Sequence, residues 1–141
     1  MRGAVLDAEY MRVTLRRPFR VDIDVAETDD QLPSMCCNLT VEADQFGQKL
    51  LFVGRVWISC STWDLFVNGL VVDECPNLEL FDIDRRVALR ILKSTAGDRL
   101  SFEGARTDLN GMDGKVTISA PLHRDEFAVI AREFADVDRW W

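Results

Sequence analysis

Few side chains in this sequence are equipped for chemistry. The single histidine, His123, stands just ahead of an amphipathic C-terminal run. A base at that position would need a nucleophile and an orienting acid beside it. Asp125 is close in sequence, but the stretch reads more economically as the polar start of a helix. Cys60, between Ser59 and Ser61, lies where a strand gives way to a helix, and a helix N-terminus can lower a thiol pKa. No second histidine supports a nucleophile there, so Cys60 reads as a small buried residue. The other cysteines are Cys36, Cys37 and Cys75. None of the four falls into the Cys-x-x-Cys or Cys/His spacings of zinc sites. Cys36 and Cys37, being adjacent, point to opposite faces of a strand. All four are expected to be reduced thiols, most of them in the core.

Carboxylates are plentiful: Asp22, Asp24, Glu27, Asp29 and Asp30, then Asp73 and Glu74, then Asp82 and Asp84, then Asp136 and Asp138. Pairs at alternate strand positions share a face, so Asp22 with Asp24, and Asp82 with Asp84, could flank a metal ion or a glycosidic bond. The polar face of a one-sided sheet is charged in any case, which makes a solvated acidic face the stronger reading. The stretch from Asp108 to Gly114 loosely follows a calcium-binding loop, but its ligand spacing is wrong and the terminal glutamate is missing, so a hairpin turn is expected. There is no phosphate-cradling glycine loop. The sequence therefore points to no catalytic residue, no metal and no cofactor. Contact with a partner would fall to Asp22, Asp24, Asp82 and Asp84, and to the terminal pair Trp140 and Trp141. Those tryptophans either fold back over the sheet edge or a helix, which is the favoured expectation, or form an aromatic anchor.

These residues must be positioned by an α+β domain. Apolar and polar residues alternate at Met11 to Arg16, Val21 to Val25 and Cys37 to Asp44, a strongly apolar strand follows at Lys49 to Ser59, and further strands are expected at Leu78 to Ile83, Arg86 to Lys93, Arg99 to Arg106 and Lys115 to Ala120. One wet face implies a mainly antiparallel sheet of six to eight strands, open or strongly curled. Turn signals at Phe46-Gly47, Asn110-Gly111 and Asp113-Gly114 fit hairpins. Two helices are predicted. The first covers 62–72, with Ser61 to Asp64 as a capping box and Trp63, Phe66, Val67 and Leu70 at helical spacing. Cys75-Pro76-Asn77 closes it. The second covers 124–137, with Phe127, Ile130, Ala131, Phe134 and Val137 on one stripe. Trp57 and Trp63, at the strand-to-helix junction, are expected in the core. No internal repeat or linker interrupts the pattern, so residues 1–141 read as a single domain.

Composition narrows the function class. Of 141 residues 48% are apolar and 29% charged, an ordinary globular balance. A net charge of −7 opposes binding to nucleic acid or to an anionic membrane, and it suits a cationic protein partner or plain solubility. The apolar run before Asp7 is too short for a signal peptide and nothing spans a membrane, which leads to the expectation of a cytoplasmic protein, monomeric or weakly dimeric.

From Asn38 on, the strand NLTVEADQFGQ leads to VGRVWIS and the helix TWDLFVNGLVV. Then come NLELFDIDRRVALRIL, GDRLSFEG, GKVTISAP and the amphipathic RDEFAVIAREFADV. This order of segments, from Asn38 to Trp141, resembles the WapI-like bacterial immunity proteins encoded beside polymorphic toxins. The resemblance implies a binding protein that neutralises a cognate toxin without catalysis, and it leaves the first 30 or so residues and the Cys36-Cys37 pair unexplained. Beside an immunity protein stand two other classes: an acidic secretion-type chaperone holding an effector segment, and a small hydrolase working through carboxylates or Cys60.

Overall fold

Alternation of apolar and polar side chains carries through the strands of the computed structural model, which describes residues 11–72 and 77–141. The opening stretch from Met1, and Asp73, Glu74, Cys75 and Pro76, lie outside the described residues. β1 (Arg12–Leu15), β2 (Arg20–Asp29), β3 (Ser34–Gln45) and β4 (Gln48–Ser59) form an antiparallel meander, and α1 (Cys60–Val72) follows it. β5 (Asn77–Phe81), β6 (Val87–Leu92), β7 (Asp98–Thr107) and β8 (Asp113–Leu122) form a second, followed by α2 (Arg124–Ala135). The architecture is α+β with every strand pairing antiparallel. Among the described residues the strands divide into two four-stranded sheets and form neither one continuous sheet nor a closed barrel.

The two halves repeat one topology, which the sequence does not display. Trp63, Phe66 and Leu70 of α1 correspond, 64 residues on, to Phe127, Ile130 and Phe134 of α2. Both sets turn inward. Only apolar character recurs, not identity, so the duplication is one of shape. α1 packs against β5, α2 packs against β1, and the helices meet each other. Phe134 lies 5.2 Å from Trp63 and 5.0 Å from Phe66, ring centre to ring centre.

Inward residues of both sheets join one apolar cluster. Ile23, Leu39 and Ile58 of the first sheet and Leu80, Leu89 and Phe102 of the second enclose a void of about 20 Å³, so the sheets meet face to face with little space left over. Phe52 is the knob of this joint. Its ring lies 5.3 Å from that of Phe102, tilted by 59°. It fills the room left by two glycines: a Cβ would stand 3.0 Å from it at Gly54 and 2.6 Å at Gly104.

Local chemistry sets the element ends. Ser59 caps α1: its hydroxyl accepts the Thr62 N–H at 3.2 Å, so the helix starts at Cys60, two residues before the predicted start. Asp64 does not close a capping box and is drawn instead toward the C-terminus. Glu126 accepts the His123 N–H at 2.9 Å and fixes the start of α2, which ends at Ala135 although Val137 beyond it is buried. Phe46 and Gly47 form the β3–β4 turn with φ of +54° and +74°, both left-handed, as a two-residue turn matching strand twist requires.

Candidate functional site

Asp22 and Asp24 lie at alternate positions of β2, yet they differ in fate. Asp22 is buried, and the guanidinium of Arg20 grips its Oδ2 with Nη2 at 2.7 Å and Nε at 2.8 Å. Arg12 stands 3.8 Å from its Oδ1. From Arg20 the ladder continues to Glu42 at 3.5 Å, and Glu42 meets Lys49 at 2.9 Å. The Lys49 hydrogen bond holds the Glu42 carboxyl below its ordinary range. Asp22 is thus a member of an ion-pair ladder within the sheet. Asp24 is half-buried and forms no ion pair among the described residues.

Asp82 and Asp84 do not share a strand face. β5 ends at Phe81, and the stretch that continues its alternation is a turn. Asp82 is 2% exposed, and its Oδ1 accepts the N–H groups of Arg86 at 2.7 Å and Val87 at 2.9 Å. A carboxylate holding two backbone N–H groups is the core of the turn, so Asp82 serves the fold. Asp84 stands exposed at its crest. The same turn reaches the first sheet, because the Ile83 N–H bonds the Trp57 carbonyl at 2.8 Å.

Trp140 and Trp141 fold back as favoured. Both are half-buried against the core, edge to face at 5.5 Å. The Trp141 indole N–H donates to Asp64 Oδ2 at 2.9 Å, and Arg139 reaches the same oxygen at 3.0 Å. This ties the C-terminus to α1.

Burial holds two of the described thiols, Cys60 and Cys37, in the protonated form. Cys60 is buried, and burial first, then Asp64, pushes its thiol up to about 11, with Arg139 opposing. Cys37 rises to about 12, chiefly by burial. Cys36, on the opposite face, accepts a 3.0 Å hydrogen bond from Arg55 Nε, while Arg55 Nη2 pairs with Glu27 at 3.1 Å. A bulge between Val25 and Glu27 brings Glu27 opposite Cys36. Asp108 Oδ1 accepts the N–H groups of Asn110 and Met112, so the calcium-like stretch is a hairpin turn. Among the described residues no three His, Cys, Asp or Glu side chains gather as metal ligands, and no helix is long and apolar enough to cross a membrane.

Sequence reasoning missed the outward face of β4. Phe52, Val56 and Ile58 point into the core, while Leu51, Val53 and Trp57 point out, exposed by 50%, 59% and 39%. Trp57 is thus not a core residue. Because apolar residues occupy both alternating sets of this strand, its sequence alone does not say which set is inside. This apolar row, with Arg55 in it, borders Asn38, Thr40 and Glu42 across the β3–β4 register. Such a surface has the means for contact with another macromolecule: apolar area to bury and paired charges at its margin. No protein-family model, curated protein or solved structure matches the chain.

Proposed function

We propose that this protein is a non-catalytic, immunity-type binder that neutralises a cognate basic toxin in the cytoplasm. The observation that carries the reading is the amount of large apolar side chain left in solvent: Phe46, Leu65, Leu109 and Met112 are each at least 70% exposed, beside the β4 row. A fold able to bury Trp63, Phe66 and Phe134 almost completely has no packing reason to present these, and surfaces of this kind mark interaction sites. The net charge of −7 favours a cationic partner. Expression of the toxin-like product of the neighbouring gene should arrest growth, and this protein should restore it. Association should slow steeply as salt rises past about 0.15 M, where the Debye length is about 8 Å. Cys60→Ser and His123→Ala should protect as the wild type does. Loss of protection in either variant, still folded, would replace binding by enzymatic action.

A secretion-type chaperone is the second reading, favoured by the exposed apolar row of β4, which could hold an unfolded effector segment. The two readings differ in the partner's state: an immunity protein binds a folded toxin, a chaperone binds a segment that gives no folded signal in the complex.

A further inference from the structure

Duplication supplies a control within the chain for what an outward face needs to carry. β4 and β8 hold the same station: each ends its meander and runs into a helix. Their outward positions, 64 residues apart, are Leu51, Val53, Arg55 and Trp57 on β4, and Lys115, Thr117, Ser119 and Pro121 on β8. The β8 set is what a wet face requires. The helices repeat the contrast. At equivalent exposed positions, 64 residues apart, α1 carries Ser61, Leu65, Asn68 and Val72, without charge, whereas α2 and its C-cap carry Asp125, Val129, Arg132 and Asp136. The fold is satisfied by the polar version, so its geometry does not demand the apolar one. Phe46 adds an independent sign. It holds φ +54°, a conformation suited to asparagine or glycine, with its side chain 94% exposed, so neither backbone nor core gains from the ring.

Charges of both signs border the strip: Arg55 lies within it and pairs with Glu27, and Arg106 donates to the Val53 carbonyl at 3.2 Å. Asp24 is in register with Arg55 through Asn38, and Asp84 stands in the turn that bonds Trp57. Among the described residues, these are the two of the four carboxylates that form no ion pair and cap no turn. We propose that the outward face of β4, with Phe46 at the hairpin tip, is the surface the partner covers. The partner meets it with an apolar ridge flanked by lysine or arginine side chains directed at Asp24 and Asp84. This rests on the binding role proposed above and adds its face and its chemistry. A second copy of the chain is the poorer occupant, because it would set −7 against −7.

The probe is a short peptide of alternating leucine and lysine, with serine–lysine and leucine–glutamate peptides as controls, followed by backbone amide NMR on the full chain. The leucine–lysine peptide should shift the amides of 51–57 and Ile83, and each control should bind about tenfold more weakly or worse. Leu51→Lys with Val53→Thr, which places the β8 residues on β4, should weaken binding about tenfold, as should Asp24→Asn with Asp84→Asn. Phe46→Asn should raise the melting temperature yet weaken binding, a combination that loss of folding cannot produce. Shifts centred on β8 or α2, unchanged affinity in the Leu51/Val53 variant, or self-association through β4 would each overturn the assignment. If cationic peptides bind in a salt-dependent way at another face, the β4 assignment falls while the binding role stands. If none binds and the neighbouring toxin is not neutralised, both fall.

Discussion

Gly104→Ala tests how the two sheets are joined. Gly104 sits inside β7, opposite Val87 of β6 and Val116 of β8. Viewed locally, alanine is the better strand residue, because glycine in a strand interior costs roughly 0.5–1 kcal/mol. Its Cβ, however, would stand 2.6 and 2.7 Å from Cε2 and Cδ2 of Phe52, and 3.0 Å from Cε2 of Phe102. Both are stiff rings in the core, and the other side of the Phe52 ring is already against Gly54. Overpacking of this kind costs about 1–3 kcal/mol, and contacts this short on aromatic rings place the case toward the upper end. A net loss of about 2 kcal/mol follows, which at a denaturant slope of about 2 kcal/mol/M lowers the urea midpoint by about 1 M. Phe52→Leu in the Gly104→Ala background should recover part of that loss, giving a coupling of about 1 kcal/mol or more in the double-mutant cycle. A midpoint at or above the wild type, or strictly additive effects, would refute the wedged-ring account.

Two further outcomes follow from groups placed inside the fold. Asp82→Ala strips the acceptor from two backbone N–H groups and should cost about 2–3 kcal/mol in urea melts, whereas the exposed Asp84→Ala should stay within about 0.5 kcal/mol of wild type. Equal losses would mean that the turn does not depend on the Asp82 carboxylate. Alkali should also destabilise the protein, since the folded state raises the thiols of Cys37 and Cys60 to about 12 and 11 from an ordinary 9.0. Groups raised in the folded state leave stability whole below the unfolded value and remove it as pH climbs toward the folded one. At pH 10 ionisation of Cys37 in the unfolded chain alone costs about 1.4 kcal/mol. Chemical melts between pH 8 and pH 10 should show the fall, and Cys37→Ala should flatten it; an unchanged slope would sink the assignment to buried thiols.

Much of the fold was legible because strand and helix periods were clean, as in Leu39 to Ala43 and Phe127 to Phe134. What escaped did so for physical reasons that differ from place to place. Alternation continues through Asp82 and Asp84, so period 2 extended β5 past its end, although Asp82 bends back onto the backbone and Arg85 takes φ +59°. Ser59, Ser61 and Thr62 are all competent caps, and the choice between them depends on where β4 lets go of β3, since Ser59 still pairs with Ser34. Cys36 meets Arg55 and Glu27 only through register and a bulge, which no spacing in the sequence announces. The tie from Trp141 to Asp64 spans 77 residues and leaves no local mark.

The site was the least legible part because acidity was used as its marker, and acidity here serves two ends. Asp22 and Asp82 look identical in the sequence to Asp24 and Asp84, yet the first pair holds strands and a turn together while the second pair faces outward. What separates them is the side chain within reach: Arg20 for Asp22, two backbone N–H groups for Asp82. The more telling contrast lies between strands that occupy equivalent stations. α1 packs on β5 and α2 on β1, and the inward residues of β4 and β8 belong to a shared core. Outward residues are under no such constraint: replacing Leu51 or Val53 leaves Phe52, Val56 and Ile58 in place. Equivalent strands can therefore differ on their exposed faces without repacking, as Leu51-Val53-Trp57 and Lys115-Thr117-Pro121 do.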